Sequence, residues 1–79
     1  MIVVYAISSL ERNYIYVGMT DNLDRRLAEH NNGENKSTKA YRPFKLIYQE
    51  ESADRLTARK REKYFKSGIG KEFLKTLDK

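Results

Sequence analysis

The sequence predicts a small α+β domain: a three-stranded antiparallel sheet flanked by helices, in the order ββαβαα. Three observations predict it. Two apolar, β-branched runs lie close enough for a hairpin, a third run alternates from residue 44, and two later stretches carry helical periodicity.

Ile2 to Ile7 is a continuous apolar run closed by Ser8 and Ser9, the pattern of a buried strand. Tyr14 to Met19 reads as the second strand. Its period of two sets Tyr14, Tyr16 and Gly18 on one face and Ile15, Val17 and Met19 on the other. Ser9 to Asn13 is short enough to join the two as a hairpin. Thr20 and Asp21 are suitable caps for a helix running to about Asn31, and Asn32-Gly33 stops it. Residues 33–43 are polar and punctuated by Pro43, so they read as a loop. Phe44, Leu46 and Tyr48 share one face of a third strand. Asp54 to Ser67 is expected to be a helix stopped by Gly68, with a short terminal helix from Gly70 to Leu77.

The 79 residues make one expected domain, residues 1–79. With no cysteine, neither disulfides nor thiolate metal sites can hold it together. No apolar run nears the roughly 18 residues that span a bilayer, and Met1 to Tyr5 lacks the charged start of a signal peptide. A cytoplasmic protein without a membrane partner is expected. Net charge is +5, unevenly spread: residues 1–20 cancel, residues 21–42 carry +1 and residues 43–79 carry +4. A basic half fits either a polyanionic partner, whose counterions Lys and Arg displace, or a solubilising surface.

Polar side chains in apolar places narrow the choice. Leu23, Arg26, Leu27 and His30 fall at i, i+3, i+4 and i+7, on one helix face, while Arg25 and Glu29 point away as a surface pair. An unpaired buried charge costs several kcal/mol, so Arg26 needs a partner, a wet cleft, or a stem that packs while its head reaches water. Ala58, Phe65 and Ile69 define an apolar arc on the later helix, and Glu62 lies inside it among Arg59, Lys60, Arg61 and Lys63. An inward arginine, histidine and glutamate on two helices flanking one sheet are more than each is alone. Two tyrosines, Tyr5 and Tyr16, lie on the hairpin strands with their hydroxyls placed to face one cleft. Gly18 ends the second strand beside a helix N-terminus, a corner that suits phosphate.

These residues resemble the GIY-YIG nuclease domains, especially the compact single-domain bacterial type. The first tyrosine motif stands as Val3-Val4-Tyr5 and the second as Tyr16-Val17-Gly18. Asp21 to His30, Lys36 to Lys39, Tyr41 to Phe44 and Arg59 to Lys66 follow in the family's order. Val3 occupies the position of the first motif's glycine, and no asparagine follows Asn35, although some members use one in their C-terminal part.

The resemblance implies a GIY-YIG-like fold and a divalent-metal-dependent endonuclease with a catalytic set of Tyr5, Tyr16, Arg26 and Glu62, supported by His30. It makes Glu62 the metal ligand, for Mg²⁺ or Mn²⁺, and nucleic acid, DNA first, the partner. Tyr5 and His30 both remain open as general base. Lys36, Ser37, Thr38, Lys39 and Arg42 in the loop, with Lys63 and Lys66 on the later helix, are expected to hold the nucleic-acid backbone. Two other readings stay open: a nucleic-acid-binding module that has lost cutting, and a domain whose basic helix docks an acidic protein. A separate target-reading domain is not expected in 79 residues, so weak sequence preference is expected.

Overall fold

The computed structural model describes residues 1–78. Strand β1 (Ile2–Ser9) occupies the middle of an antiparallel sheet, with β2 (Ile15–Thr20) on one side and β3 (Phe44–Ser52) on the other. The central place follows from its sequence. A strand covered on both faces reads as a continuous apolar run, and β1 is buried along almost its whole length. Helix α1 (Leu23–Asn31) separates β2 from β3, and α2 (Arg55–Lys66) and α3 (Gly68–Leu77) close the chain.

Alternation along β1 splits the interior into two layers. Ile2, Val4 and Ala6 pack with Val17 under Ala58 and Phe65 of α2 and Leu74 of α3. Tyr5 and Ile7 point to the opposite face, with Phe44, Tyr16, and Leu23 and Leu27 of α1. Register places Tyr5 opposite Gly18 on β2 and opposite Gln49 on β3. The side chain of Asn31, at the end of α1, accepts from Phe44 N at 2.7 Å and so ties that helix to the start of β3.

Several boundaries differ from the expectation. The α1 cap is Asn22, whose side chain accepts from Arg25 N at 3.0 Å; the Thr20 hydroxyl instead accepts from Asn22 N, one step earlier. Tyr14 precedes β2 and closes the hairpin through its carbonyl, which accepts from Ser9 N at 2.9 Å. The 33–43 segment contains a single 3₁₀ turn, Lys39–Tyr41, and β3 runs on to Ser52. Ser67 both ends α2 and caps α3, so α3 begins at Gly68. That junction turns Ile69 outward, where it is 73% exposed, rather than extending the apolar arc of Ala58 and Phe65. Gly70 is the inward residue in its place. No helix among the described residues is long and apolar enough to cross a membrane.

The α2–α3 corner depends on a missing side chain. A Cβ on Gly70 would collide with the Tyr64 carbonyl oxygen and sit 2.5 Å from Phe65 Cα, whereas one on Gly68 would meet nothing within 4 Å. Gly70→Ala is therefore expected to destabilise by about 1–3 kcal/mol, the usual cost of overpacking. Gly68→Ala should be neutral or slightly stabilising, because alanine loses less backbone entropy in a helix. Urea unfolding midpoints of both variants check the contrast.

Candidate active site

Tyr5 is the centre of the site because β1 is the centre of the sheet. Its ring crosses toward β2 and passes over Gly18. A Cβ there would lie 2.8 Å from the Tyr5 hydroxyl oxygen and 3.0 Å from the Tyr16 ring, so glycine is what admits the phenol. The hydroxyl stands 2.8 Å from Nε2 of His30. On the other side of that imidazole, Nδ1 stands 2.8 Å from the Thr38 hydroxyl. Tyr5, His30 and Thr38 are all closed to solvent, at 1%, 0% and 0% exposed. Tyr16 completes the aromatic wall, its ring centroid 4.9 Å from that of His30 and 6.3 Å from that of Tyr5.

Arg26 covers this buried group from α1. Its side chain is about one-third exposed, its guanidinium faces the Tyr5 hydroxyl, and Nη1 reaches Glu29 Oε1 at 3.1 Å. Glu29 also meets Arg25 at 3.7 Å, so it forks between the two arginines instead of serving Arg25 alone. Burial pushes the Tyr5 phenol up to about 12 even though Arg26 pulls the other way. Burial, and then the Arg26 charge, lower His30 below the ordinary histidine value and favour the neutral ring.

Glu62 arrives from the other side of the sheet. It projects from α2 between Ala58 and Phe65, and its side chain is 16% exposed. Its oxygens meet Arg59 at 3.7 Å and Lys66 at 3.4 Å, contacts too long for strong hydrogen bonds, made by partners more than half exposed. Arg61, expected near it, instead grips Glu50 with two bonds of 2.7 and 3.0 Å. Glu62 therefore keeps a carboxylate that a divalent cation could take from loosely held, solvent-facing side chains, and its charge is still felt at Tyr5. Among the described residues no three His, Asp or Glu side chains converge as a metal cluster.

Of the residues singled out in the sequence, Tyr5, Tyr16, Arg26 and His30 come together on one face, and Glu62 approaches from the opposite one. Lys36, Ser37, Lys39 and Arg42 are exposed on the loop, and Lys63 and Lys66 on α2. Thr38 is the exception. Expected among the backbone-holding residues, it is fully buried and spends its hydroxyl on His30, so it is not available to a phosphate. The open cleft expected between the tyrosines is also closed at Tyr5. Two surface grooves lie elsewhere, one lined by Asn13, Tyr14, Ile15, Lys71 and Lys75, the other by Leu46 to Gln49. Glu29 as a holder of Arg26, and Thr38 as a holder of His30, were missed by sequence reasoning. The 26–29 helical spacing could have found the first, whereas no spacing rule connects residues 30 and 38 across a loop.

Residues 1–73 match the family model described as the GIY-YIG catalytic domain, and the chain belongs to that family, a nuclease-type domain. Within it, its relatives carry the name UPF0213 protein. The chain is 37% identical over 67 residues to the UPF0213 protein of Staphylococcus haemolyticus, covering 84% of this chain and 82% of that one. It is 46% identical over 55 residues to the UPF0213 protein of Lactiplantibacillus plantarum, covering 66% of this chain and 54% of that protein, about half its length. A solution NMR structure of a UPF0213 protein from Bacillus halodurans superposes with a TM-score of 0.56 at 30% identity, over 98% of this chain and 85% of that one.

The shifted groups make stability depend on pH in two windows. His30 has its folded pKa below its ordinary 6.5, so the unfolded chain binds the proton first as pH falls. Its contribution is present above about 6.5 and is lost on the acid side, at higher pH than the effects of Glu50 and Asp54, which act below 4.5 and 3.8. Tyr5 acts at the other end: the unfolded phenol ionises near 10.0 and the folded one at about 12, so stability falls between those values. Urea midpoints from pH 5 to 7 should decline on acidification, and His30→Gln, which removes the one histidine, should flatten that slope.

Proposed function

We propose that this protein is a divalent-metal-dependent endonuclease that hydrolyses phosphodiester bonds, with DNA as the first substrate to test. One observation carries the reading: a buried phenol hydrogen-bonded to a buried neutral imidazole at 2.8 Å, capped by a guanidinium and within the field of a half-buried glutamate. A structural core rarely retains such a set, because each buried polar group must be satisfied and each charge desolvated.

Glu62 would hold Mg²⁺ or Mn²⁺, and the chemistry such a cation supplies when bound is neutralisation of phosphate charge and a more acidic water. Arg26 offers forked donors to the scissile phosphate. To do so it leaves the Tyr5 oxygen, which uncovers the phenol to the attacking water. With a pKa of about 12, Tyr5 is not a phenolate near neutral pH, so it does not act as a free base. Its oxygen instead takes the water's proton while its own proton passes to Nε2 of His30. The hydroxide oxygen bonds to phosphorus, and the bond to the leaving sugar oxygen breaks with its electron pair. That oxygen is protonated by solvent, and His30 returns its proton to solvent after the product departs. Tyr16, beside both rings, orients the water or a phosphate oxygen. Lys36, Ser37, Lys39, Arg42, Lys63 and Lys66 hold the backbone, which makes affinity fall with salt.

A second reading, a binding module of the same fold without cutting, is favoured by the closed Tyr5 and the ion-paired Glu62. Nicking of supercoiled plasmid in Mg²⁺ or Mn²⁺ separates the two. Hydrolysis predicts that Glu62→Ala and Arg26→Ala each slow cleavage by about a hundredfold or more, while salt-sensitive binding survives in Glu62→Ala. Binding without metal-dependent nicking by the parent protein establishes the second reading, and equal nicking by Glu62→Ala removes the metal site.

A further inference from the structure

Thr38 lies eight positions beyond His30, in a segment whose neighbours Lys36, Ser37 and Lys39 are exposed. A threonine there needs no burial for the loop to form, since Asn35 already organises the turn. Its side chain accepts from Ser37 N at 3.0 Å, and its carbonyl accepts from Lys39 N at 2.9 Å. Yet Thr38 is fully buried, with its hydroxyl against Nδ1, the ring nitrogen of His30 that Tyr5 does not use.

Groups at both ends of this chain of contacts bias the hydrogen-bond directions. At one end, the Arg26 guanidinium faces the Tyr5 oxygen and has only donors to offer. A phenol oxygen that accepts there keeps its single proton for Nε2 of His30, 2.8 Å away. At the other end, the Thr38 hydroxyl lies 3.4 Å from the Asn35 carbonyl oxygen, which can only accept. A proton turned that way leaves the oxygen to accept from Nδ1, the much shorter contact at 2.8 Å. A neutral imidazole carries one N–H, and both ends favour Nδ1 as its carrier. The four links then run in one direction: Arg26 to Tyr5, Tyr5 to His30, His30 to Thr38, Thr38 to Asn35.

We propose that Thr38 is a positioning residue that holds His30 in the Nδ1–H tautomer, so that Nε2 faces Tyr5 as an empty acceptor. It acts through His30 and touches no substrate. Without the hydroxyl, Nδ1 has no acceptor in a closed environment and the ring can turn its N–H to Nε2. That blocks the passage of the Tyr5 proton. The catalytic consequence rests on the hydrolytic reading above, whereas the tautomer itself does not. The arrangement also makes the loop that carries Lys36, Lys39 and Arg42 part of the support of the site, because the same short turn seats Thr38 and displays those cations.

Long-range ¹H–¹⁵N spectra of the His30 imidazole near pH 7.5 read the tautomer directly, and the chain's single histidine makes assignment unambiguous. The parent protein should show a protonated Nδ1 and an unprotonated Nε2. Thr38→Ser keeps the hydroxyl and should preserve that pattern. Thr38→Val keeps the shape, loses the hydroxyl, and should give a mixed or reversed pattern. In single-turnover cleavage at saturating protein, Thr38→Val should be slower by about tenfold to a hundredfold with DNA Kd unchanged, and Thr38→Ser should recover most of the rate. A protonated Nε2 in the parent, an unaltered imidazole in Thr38→Val, or matched losses of rate and affinity in that variant overturns the proposal. If Thr38→Val does not fold, the parent and Thr38→Ser spectra decide it. Absence of cleavage by the parent defeats the hydrolytic reading alone, and the spectra still decide what Thr38 does.

Discussion

A 2.8 Å contact between the Tyr5 hydroxyl and Nε2 of His30, shut away from solvent, constrains everything around it. Burying a phenol and an imidazole together is tolerable only while each satisfies the other, since an orphaned buried donor or acceptor costs about 1–3 kcal/mol. Tyr5 must therefore sit on a strand that is covered on both faces, which makes β1 central. Gly18 must lack a side chain where the ring crosses β2. Helix α1 must keep Leu23 and Leu27 on the sheet so that His30, one turn later, arrives at the hydroxyl. The loop must deliver Thr38 to the remaining nitrogen.

The charges are arranged across this buried pair rather than beside it. Arg26 stands over the phenol from α1, and Glu62 rises from α2, on the face that holds Val4 and Ala6. Each has a partner that can release it: Glu29 holds the guanidinium at 3.1 Å, and Arg59 and Lys66 approach the carboxylate only to 3.7 and 3.4 Å. The Glu62 contacts are long and made by solvent-facing partners, and Glu29 is shared between two arginines, so both holds yield to a better-placed ion. The closed, internally paired arrangement is thus compatible with opening by a phosphate and a cation, which offer Arg26 and Glu62 stronger partners than they have now.

Much of this could be read from the residues. Period two along the first strands sorted Tyr16 and Gly18 from Val17 and Met19 correctly, because side-chain direction in a strand is fixed by the pleat. Helical spacing brought Arg26 and His30 to the sheet-facing side of α1 and put Glu62 between Ala58 and Phe65. What could not be read depends on tertiary closure. Thr38 looks like one more polar loop residue until the fold sets it against an imidazole. Ile69 fits the α2 period until a capping serine two residues earlier starts a new helix in a new direction. The sealing of Tyr5 is a property of the packed rings and of Arg26 above them, and no local pattern records it.

The central claim is that Arg26 and Glu62, carried by helices on opposite faces, act on one phosphate. A double-mutant cycle on single-turnover cleavage tests it most directly, with Arg26→Ala, Glu62→Ala and the combined variant. Joint action predicts strong non-additivity, the combined variant being hardly slower than the more damaged single one. Rate losses that simply multiply would mean that the two side chains work independently, and the single-site account would fail.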